Sequence, residues 1–210
     1  MSWHLRKMKM NELIQKIEQW ATDRNIIKGS KPIDQAMKLF SEFGELADNV
    51  GKGRDCRDDI GDVFVVLTII SAQYNKGFML DCFNSNNHYE DLSKLKSIKH
   101  VTHVLMSHLC SFVYSVEDSK FCKPELDLYS CLDYLAKIAE LSGATLEECV
   151  QIAYDDISKR QGILWNGVFV KNTDENFNEI KSLFERFLPQ FQSNLSVLSI
   201  IPSKILSLFF

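Results

Sequence analysis

Two helical patterns, residues 32–50 and 55–74, are separated only by Gly51-Lys52-Gly53-Arg54. A spacer this short forces two neighbouring helices to run antiparallel. Each boundary has a physical signal. Pro32 suits a first helical turn, where its missing N–H costs nothing. The glycines of the spacer suit a helix end, where a residue without Cβ turns the chain out. Asp55, Asp58 and Asp59 suit the positive end of the second helix dipole. From Val63 to Ile70 that second helix is apolar almost all round. Such a helix belongs in a core, so further elements must wrap it.

The rest of the chain supplies them. Leu13, Ile14, Ile17, Trp20 and Ala21 repeat at helical spacing within residues 9–23. Ile98, Val101, Val104, Leu105, Leu109, Phe112 and Val113 mark a long helix after a polar loop at 84–87. Leu126, Tyr129, Leu132, Ala136 and Ala139 mark another, which Ser142-Gly143 stops. Thr145 with Glu148 three residues later forms a capping-box signal, opening a helix to about residue 160. Asn166-Gly167 is a tight-turn dipeptide and predicts a short β-hairpin over 164–171. Residues 174–188 read as a further amphipathic helix. With 4 prolines and 9 glycines in 210 residues, punctuation is too sparse for a many-stranded fold. The expectation is an all-α helical bundle with one small β-hairpin.

The hairpin of residues 32–74 carries the chemistry. Glu42 and Glu45 share one helix face, three residues apart, and so do Asp59 and Asp62. Glu42 and Asp62 are equidistant from residue 52, and Glu45 and Asp59 are likewise. The antiparallel arrangement therefore predicts four carboxylates at two adjacent levels. Gln35, Lys38, Glu42, Glu45 and Asn49 form one polar stripe, flanked by Ile33, Ala36, Phe40, Phe43, Ala47 and Val50. Anions clustered inside an apolar helix repel one another and lose hydration. A hard divalent cation with oxygen ligands, Mg²⁺ above all, resolves that conflict. No matching His or Cys cluster points to zinc. A solvated acidic face is the plain alternative. Asp58 reads as a first-turn acid or an outer neighbour of the site, and Asp48 and Asp55 as solvent-facing.

At these residues the chain resembles the all-α, MazG-like nucleoside triphosphate pyrophosphohydrolases of phages and bacteria. Their motif is E-x-x-E, a spacer, then E-x-x-D; here it reads Glu42-Phe-Gly-Glu45 and Asp59-Ile-Gly-Asp62. Trp20-Ala-Thr-Asp-Arg-Asn-Ile26, Gln35-Ala-Met-Lys38-Leu, Gly61-Asp-Val-Phe-Val-Val-Leu67, Ala153-Tyr-Asp-Asp-Ile-Ser-Lys159-Arg160-Gln-Gly162 and Asn166-Gly-Val-Phe-Val-Lys171 also look like the family. The resemblance covers about 10–82 and 143–172, and implies one catalytic domain over 1–172. It treats about 83–142 as an inserted helical hairpin and 173–210 as a helical extension and tail. Asp59 stands where the family usually has Glu, and Asp155 where many members have Asn.

What the resemblance implies is Mg²⁺-dependent hydrolysis of (deoxy)nucleoside triphosphates to monophosphate and pyrophosphate, with Mn²⁺ as a possible substitute. Glu42, Glu45, Asp59 and Asp62 would be catalytic and hold the metal. Lys38, Trp20, Asp155, Lys159 and Arg160 are the candidate substrate-binding residues. Lys38 reads equally as an ion-pair partner of Glu42, and Trp20 as a core residue. A homodimer or homotetramer is implied. The alternatives are a special nucleotide (dUTP, dCTP, guanosine tetraphosphate or a phosphoribosyl nucleotide) or a non-catalytic helical interaction protein.

With 24 Lys and Arg against 28 Asp and Glu, the net charge of −4 argues against a nucleic-acid partner. Cys56, Cys82, Cys110, Cys122, Cys131 and Cys149 contain no C-x-x-C pair, and no signal peptide is evident. Reduced thiols in a cytoplasm, a host's if phage-encoded, are the expectation. His100, His103 and His108 read as surface or interface histidines. The apolar stretch 195–210 falls short of a membrane-spanning length and reads as a docking tail.

Overall fold

A computed structural model describes residues 3–85, 92–118 and 123–193, with side chains described over 8–85, 92–118 and 123–186. Among these residues the fold is mostly helical, with one small antiparallel sheet. In order come α1 (Trp3–Asp23), α2 (Ile26–Gly29), α3 (Pro32–Lys52), α4 (Arg57–Tyr74) and α5 (Phe78–Asn84). A 3₁₀ turn at Leu92–Lys94 leads to α6 (Ile98–Glu117), α7 (Pro124–Leu141) and α8 (Leu146–Ile157). Strands β1 (Gly162–Trp165) and β2 (Val168–Lys171) precede α9 (Phe177–Ser193).

α4 is the axis of the molecule. From Ile60 to Ala72 every residue except Asp62 is buried. It packs against α1, α3 and α8, and also against α2, α5 and α7. Of its two internal hydroxyls, Thr68 Oγ1 donates to the Phe64 carbonyl at 2.9 Å, while Ser71 Oγ is buried without a hydrogen-bond partner. Burial on all sides explains the unbroken apolar run of the sequence.

The α3–α4 connection forms as the spacer predicts. Pro32 occupies the first turn of α3, and the Lys31 N–H donates to Asp34 Oδ2 at 2.8 Å. At the far end Gly53 is left-handed with φ 65°, and the Arg54 N–H reaches back to the Asn49 carbonyl at 2.9 Å. This glycine-terminated closure satisfies carbonyls that the last turn would otherwise leave open. α4 starts at Arg57 instead of residue 55. The Asp55 carboxylate lies outside the helix and accepts from the Arg57 guanidinium and backbone N–H. Arg57 holds the Asp55 carboxyl down at about 2.

Within 83–142 the described residues contain a helix pair, as the periodicity predicts. Ser115 donates to Asp127, and the His108 and Tyr134 rings lie 5.0 Å apart, which fixes α6 and α7 as antiparallel. α6 also packs on α3, and α7 on α4, α5 and α8. Two short helices were not legible. α2 has only four residues, too few for a period. α5 follows Gly77, whose φ of 84° breaks the chain direction, and runs past residue 83.

The capping box of α8 is present: the Glu148 N–H donates to Thr145 Oγ1 at 3.2 Å, and Glu148 accepts the Thr145 N–H at 2.8 Å. The hairpin turns at Asn166 and Gly167, φ 50° and 76°, with Trp165 paired to Val168. The Leu164 N–H donates to the Arg24 carbonyl at 2.8 Å, tying β1 to the end of α1. Among the described residues no single helix is long and apolar enough to cross a membrane. The tail at 195–210 and residues 86–87 of the polar loop lie outside the described residues.

One contact sets the spacing of α4 and α8. A Cβ on Gly61 would sit 2.2 Å from the Cys149 carbonyl and 2.7 Å from the Ala153 methyl. Gly61→Ala should therefore destabilise the fold by about 2–3 kcal/mol, read as a lower urea midpoint. Gly44, on the exposed side of α3, has no atom within 4 Å of such a Cβ. Gly44→Ala should be neutral or stabilising by about 0.5–1 kcal/mol. Equal effects at the two positions would sink the packing argument.

Candidate functional site

The acidic site lies toward the turn end of the α3–α4 hairpin. α3 contributes Lys38, Glu42 and Asn49 along one stripe. Glu42 is only 6% exposed, unusual for a carboxylate, and is ion-paired with Lys38, one turn earlier. α4 contributes Asp58, Asp59 and Asp62 from its first two turns. Asp59 and Asp62 are half-buried, while Asp58 is exposed. Asn49 Nδ2 donates to Asp59 Oδ2 at 2.8 Å.

Charge crowding is clearest at Asp62. Burial first, then the charges of Glu42 and Asp58, raise its carboxyl against the pull of Arg160 and Lys38, to about 7 in all. Asp59 is raised mainly by burial, against the Asn49 hydrogen bond, with Asp58 and Glu42 adding to it. Burial likewise raises Asp58, with Asp156 adding and Arg160 opposing. Glu42, Asp58, Asp59 and Asp62 thus form one interacting group.

α8 completes the site. Asp156 and Arg160 form an ion pair at 2.5 Å beyond the Gly61 contact, and the Arg160 charge falls on Asp62 and Glu42. The Arg160 main chain is held in turn. Arg24 Nε and Nη2 both donate to its carbonyl, at 2.9 and 2.8 Å. The Arg24 guanidinium lies 4.9 Å from the centre of the half-buried Trp20 ring.

The sequence candidates therefore separate. Glu42, Asp59, Asp62, Lys38 and Arg160 come together. Glu45 is exposed on α3 and is not among the charges acting most strongly on Asp62. Asp59 meets Asn49, one helical turn beyond Glu45. Asp155 faces elsewhere: it accepts from Gln151 Nε2 at 2.8 Å, and its charge acts on Lys16 of α1. Lys159 is exposed in the turn after α8. One face of Trp20 is covered by Arg24. Sequence reasoning gave no site role to Asn49, Asp156 or Arg24 and left Asp58 at the margin. The adjacent acids Asp58-Asp59 and the i, i+4 pair Asp156–Arg160 were the available signals; Arg24 had none.

All the donors here are oxygens, mostly carboxylate, which suits Mg²⁺ or Mn²⁺ and not a soft metal. Among the described residues no three His, Cys, Asp or Glu side chains already converge to hold an ion. Glu42 is turned to Lys38 and Asp59 to Asn49. The donor chemistry fits a hard cation, with those two side chains in competition for the carboxylates.

No family model matches the chain, and no solved structure matches it. A curated protein that it resembles is the uncharacterized 18.2 kDa protein in the rep-hol intergenic region of Haemophilus phage HP1 (strain HP1c1), 47% identical over 66 residues. That match spans 30% of this chain and 40% of the phage protein.

The electrostatics predict a pH dependence in metal-free protein. Asp62 rises from the ordinary 3.8 to about 7 on folding, so the native state holds its proton more tightly than the unfolded chain does. Its stabilising contribution is present below about pH 4 and is lost as the pH rises through about 7. In EDTA, Asp62→Asn should lose less stability than wild type between about pH 5 and pH 8, and should have the higher midpoint at the upper pH. Parallel losses in the two proteins would remove Asp62 as the group responsible.

Proposed function

We propose that this chain is a Mg²⁺-dependent hydrolase that cleaves nucleoside or deoxynucleoside triphosphates to the monophosphate and pyrophosphate. The observation that carries this reading is the buried Glu42 facing Asp59 and Asp62, with Asp58 beside them and cationic Lys38 and Arg160 at the rim. The E-x-x-E and D-x-x-D spacing and the likeness to MazG-like pyrophosphohydrolases support it. The partial match to a phage protein bears on source alone: it favours a phage origin and, with it, action in a host cytoplasm.

In this reading Glu42, Asp59 and Asp62 hold the ion. Bound Mg²⁺ would neutralise the polyphosphate and lower the pKa of a water molecule. The chain's own residues do the rest. Lys38 and Arg160, each about half exposed, turn from their carboxylate partners to phosphate oxygens. Glu45, open to solvent, takes the proton of the attacking water at its carboxylate. Asn49 keeps the Asp59 carboxylate oriented through its amide N–H. Lys159, exposed in the turn after α8, belongs to the outer contacts with sugar or base, whereas Asp155 is turned toward α1 and takes no part. Exposed Ile33 and Met37 on α3, with Met106 and Tyr114 on α6, support a homodimer or homotetramer. One alternative draws on the pairing of Glu42 with Lys38 and Asp59 with Asn49: a helical interaction protein whose acidic hairpin is already neutralised from within.

A Mg²⁺-dependent turnover panel over all NTPs and dNTPs, resolving pyrophosphate from orthophosphate, separates the readings. Pyrophosphate with monophosphate is expected. Glu42→Gln should lower kcat/KM by at least about 100-fold with the fold intact. Orthophosphate with diphosphate would reassign the bond. Silence from folded protein that binds Mg²⁺ would favour a special nucleotide or the interaction protein.

A further inference from the structure

Arg24 makes three hydrogen bonds at the edge of the site, and each goes to a backbone carbonyl. Nε and Nη2 donate to the Arg160 carbonyl at 2.9 and 2.8 Å, and Nη1 donates to the Trp20 carbonyl at 3.2 Å. One carbonyl oxygen has two lone pairs, and the planar guanidinium fork fills both. The guanidinium plane is further fixed over the Trp20 ring, 4.9 Å from its centre. These bonds use three of the five guanidinium N–H donors and fix the group from all three nitrogens.

Arg160 is the residue that gains. It lies in the turn between α8 and β1, where a main chain outside regular structure can rotate. Its N–H donates to the Ile157 carbonyl at 2.9 Å, and its carbonyl is held by Arg24. Both peptide units of Arg160 are therefore anchored while its side chain stays 53% exposed. Its guanidinium is aimed by Asp156 at 2.5 Å, and its charge reaches Asp62, Glu42 and Asp58. The Arg24 carbonyl also accepts the Leu164 N–H at 2.8 Å, and Asn25 Nδ2 donates to the Leu164 carbonyl at 3.1 Å, so the exit strand is tied to the same corner.

We infer that Arg24 is a positioning residue: it fixes the Arg160 main chain so that the Arg160 guanidinium meets substrate phosphate beside the carboxylates. This rests on the phosphate-binding role of Arg160 in the proposed reaction. It also assigns Trp20 to holding Arg24, in place of stacking on a nucleobase. Arg24 acts only through Arg160, and that separates it from a general stabiliser of the fold.

The test is a double-mutant cycle in the full chain. Wild type, Arg24→Ala, Arg160→Ala and the double variant are compared for kcat and KM on the best substrate of the panel, with thermal midpoints recorded. Arg24→Ala alone should raise KM about 10-fold with kcat within about two-fold, the pattern for lost ground-state and transition-state binding together. In the Arg160→Ala background the same change should move KM less than about two-fold. Arg24→Lys, which cannot offer the fork, should recover only part of the loss. Should Arg24→Ala prove too unstable to assay, Arg24→Lys replaces it in the cycle.

Titration of the same proteins with Mg²⁺ and pyrophosphate repeats the comparison without turnover. Multiplicative effects, or an unchanged KM in folded Arg24→Ala, overturn the role of Arg24 and leave the hydrolase reading standing. Wild type that binds pyrophosphate through Arg160 but turns over no nucleotide overturns the hydrolase reading alone. Wild type that does neither overturns both.

Discussion

The close approach of α4 and α8 is the constraint on which the rest of the structure depends. It exists because residue 61 has no side chain, so the Cys149 carbonyl and the Ala153 methyl can press against the α4 backbone. With α3 and α1 on its other sides, α4 is then sealed from Ile60 to Ala72, apart from Asp62. Its polar first turns are left partly open to solvent. The same approach brings Asp156 at the end of α8, and Arg160 in the turn after it, alongside those turns. A larger residue at 61 would separate the acids of α4 from the cation that moderates them.

Crowding four carboxylates toward the turn of a helical hairpin is unfavourable by itself. Half-burial removes water from Asp59 and Asp62, and each negative neighbour makes ionisation harder. Lys38, Asn49 and Arg160 offset part of this, and each does so from a different element or turn. Because Lys38 and Arg160 are both more than half exposed, their contribution is screened and modest. An anion surplus that resident side chains only partly offset is the arrangement expected of a site that takes a hard cation. It would be costly to maintain in a helix with no further partner.

The two ends of the site differ in rigidity. On the α3–α4 side, regular helices set the positions of Glu42, Asp59 and Asp62. On the α8 side the chain has left the helix by Arg160, and long-range bonds take over. Arg24 supplies them from the end of α1, and the β-hairpin that follows is tied to the same corner through Leu164. The short sheet thus belongs to the support of the site, although none of its residues carries charge toward it.

Local signals made much of this legible in the sequence. The helical hairpin, its glycine turn, the buried run after Asp62, the capping box at Thr145 and the Asn166-Gly167 turn all depend on neighbours within a few residues. Backbone geometry therefore determined them directly. Glu42, Asp59 and Asp62 were legible for the same reason, since a short turn leaves little freedom in register. Side-chain direction was not so constrained, and there Asp59 turned to Asn49 while Glu45 stayed in solvent. Only the tertiary structure decided that Gly61 sets a helix spacing, that Asp155 faces α1 while Asp156 faces α4, and that Arg24 holds a residue 136 positions away. Contacts of that separation leave no periodicity in the chain; they arise when packing closes, and a linear pattern carries no record of them.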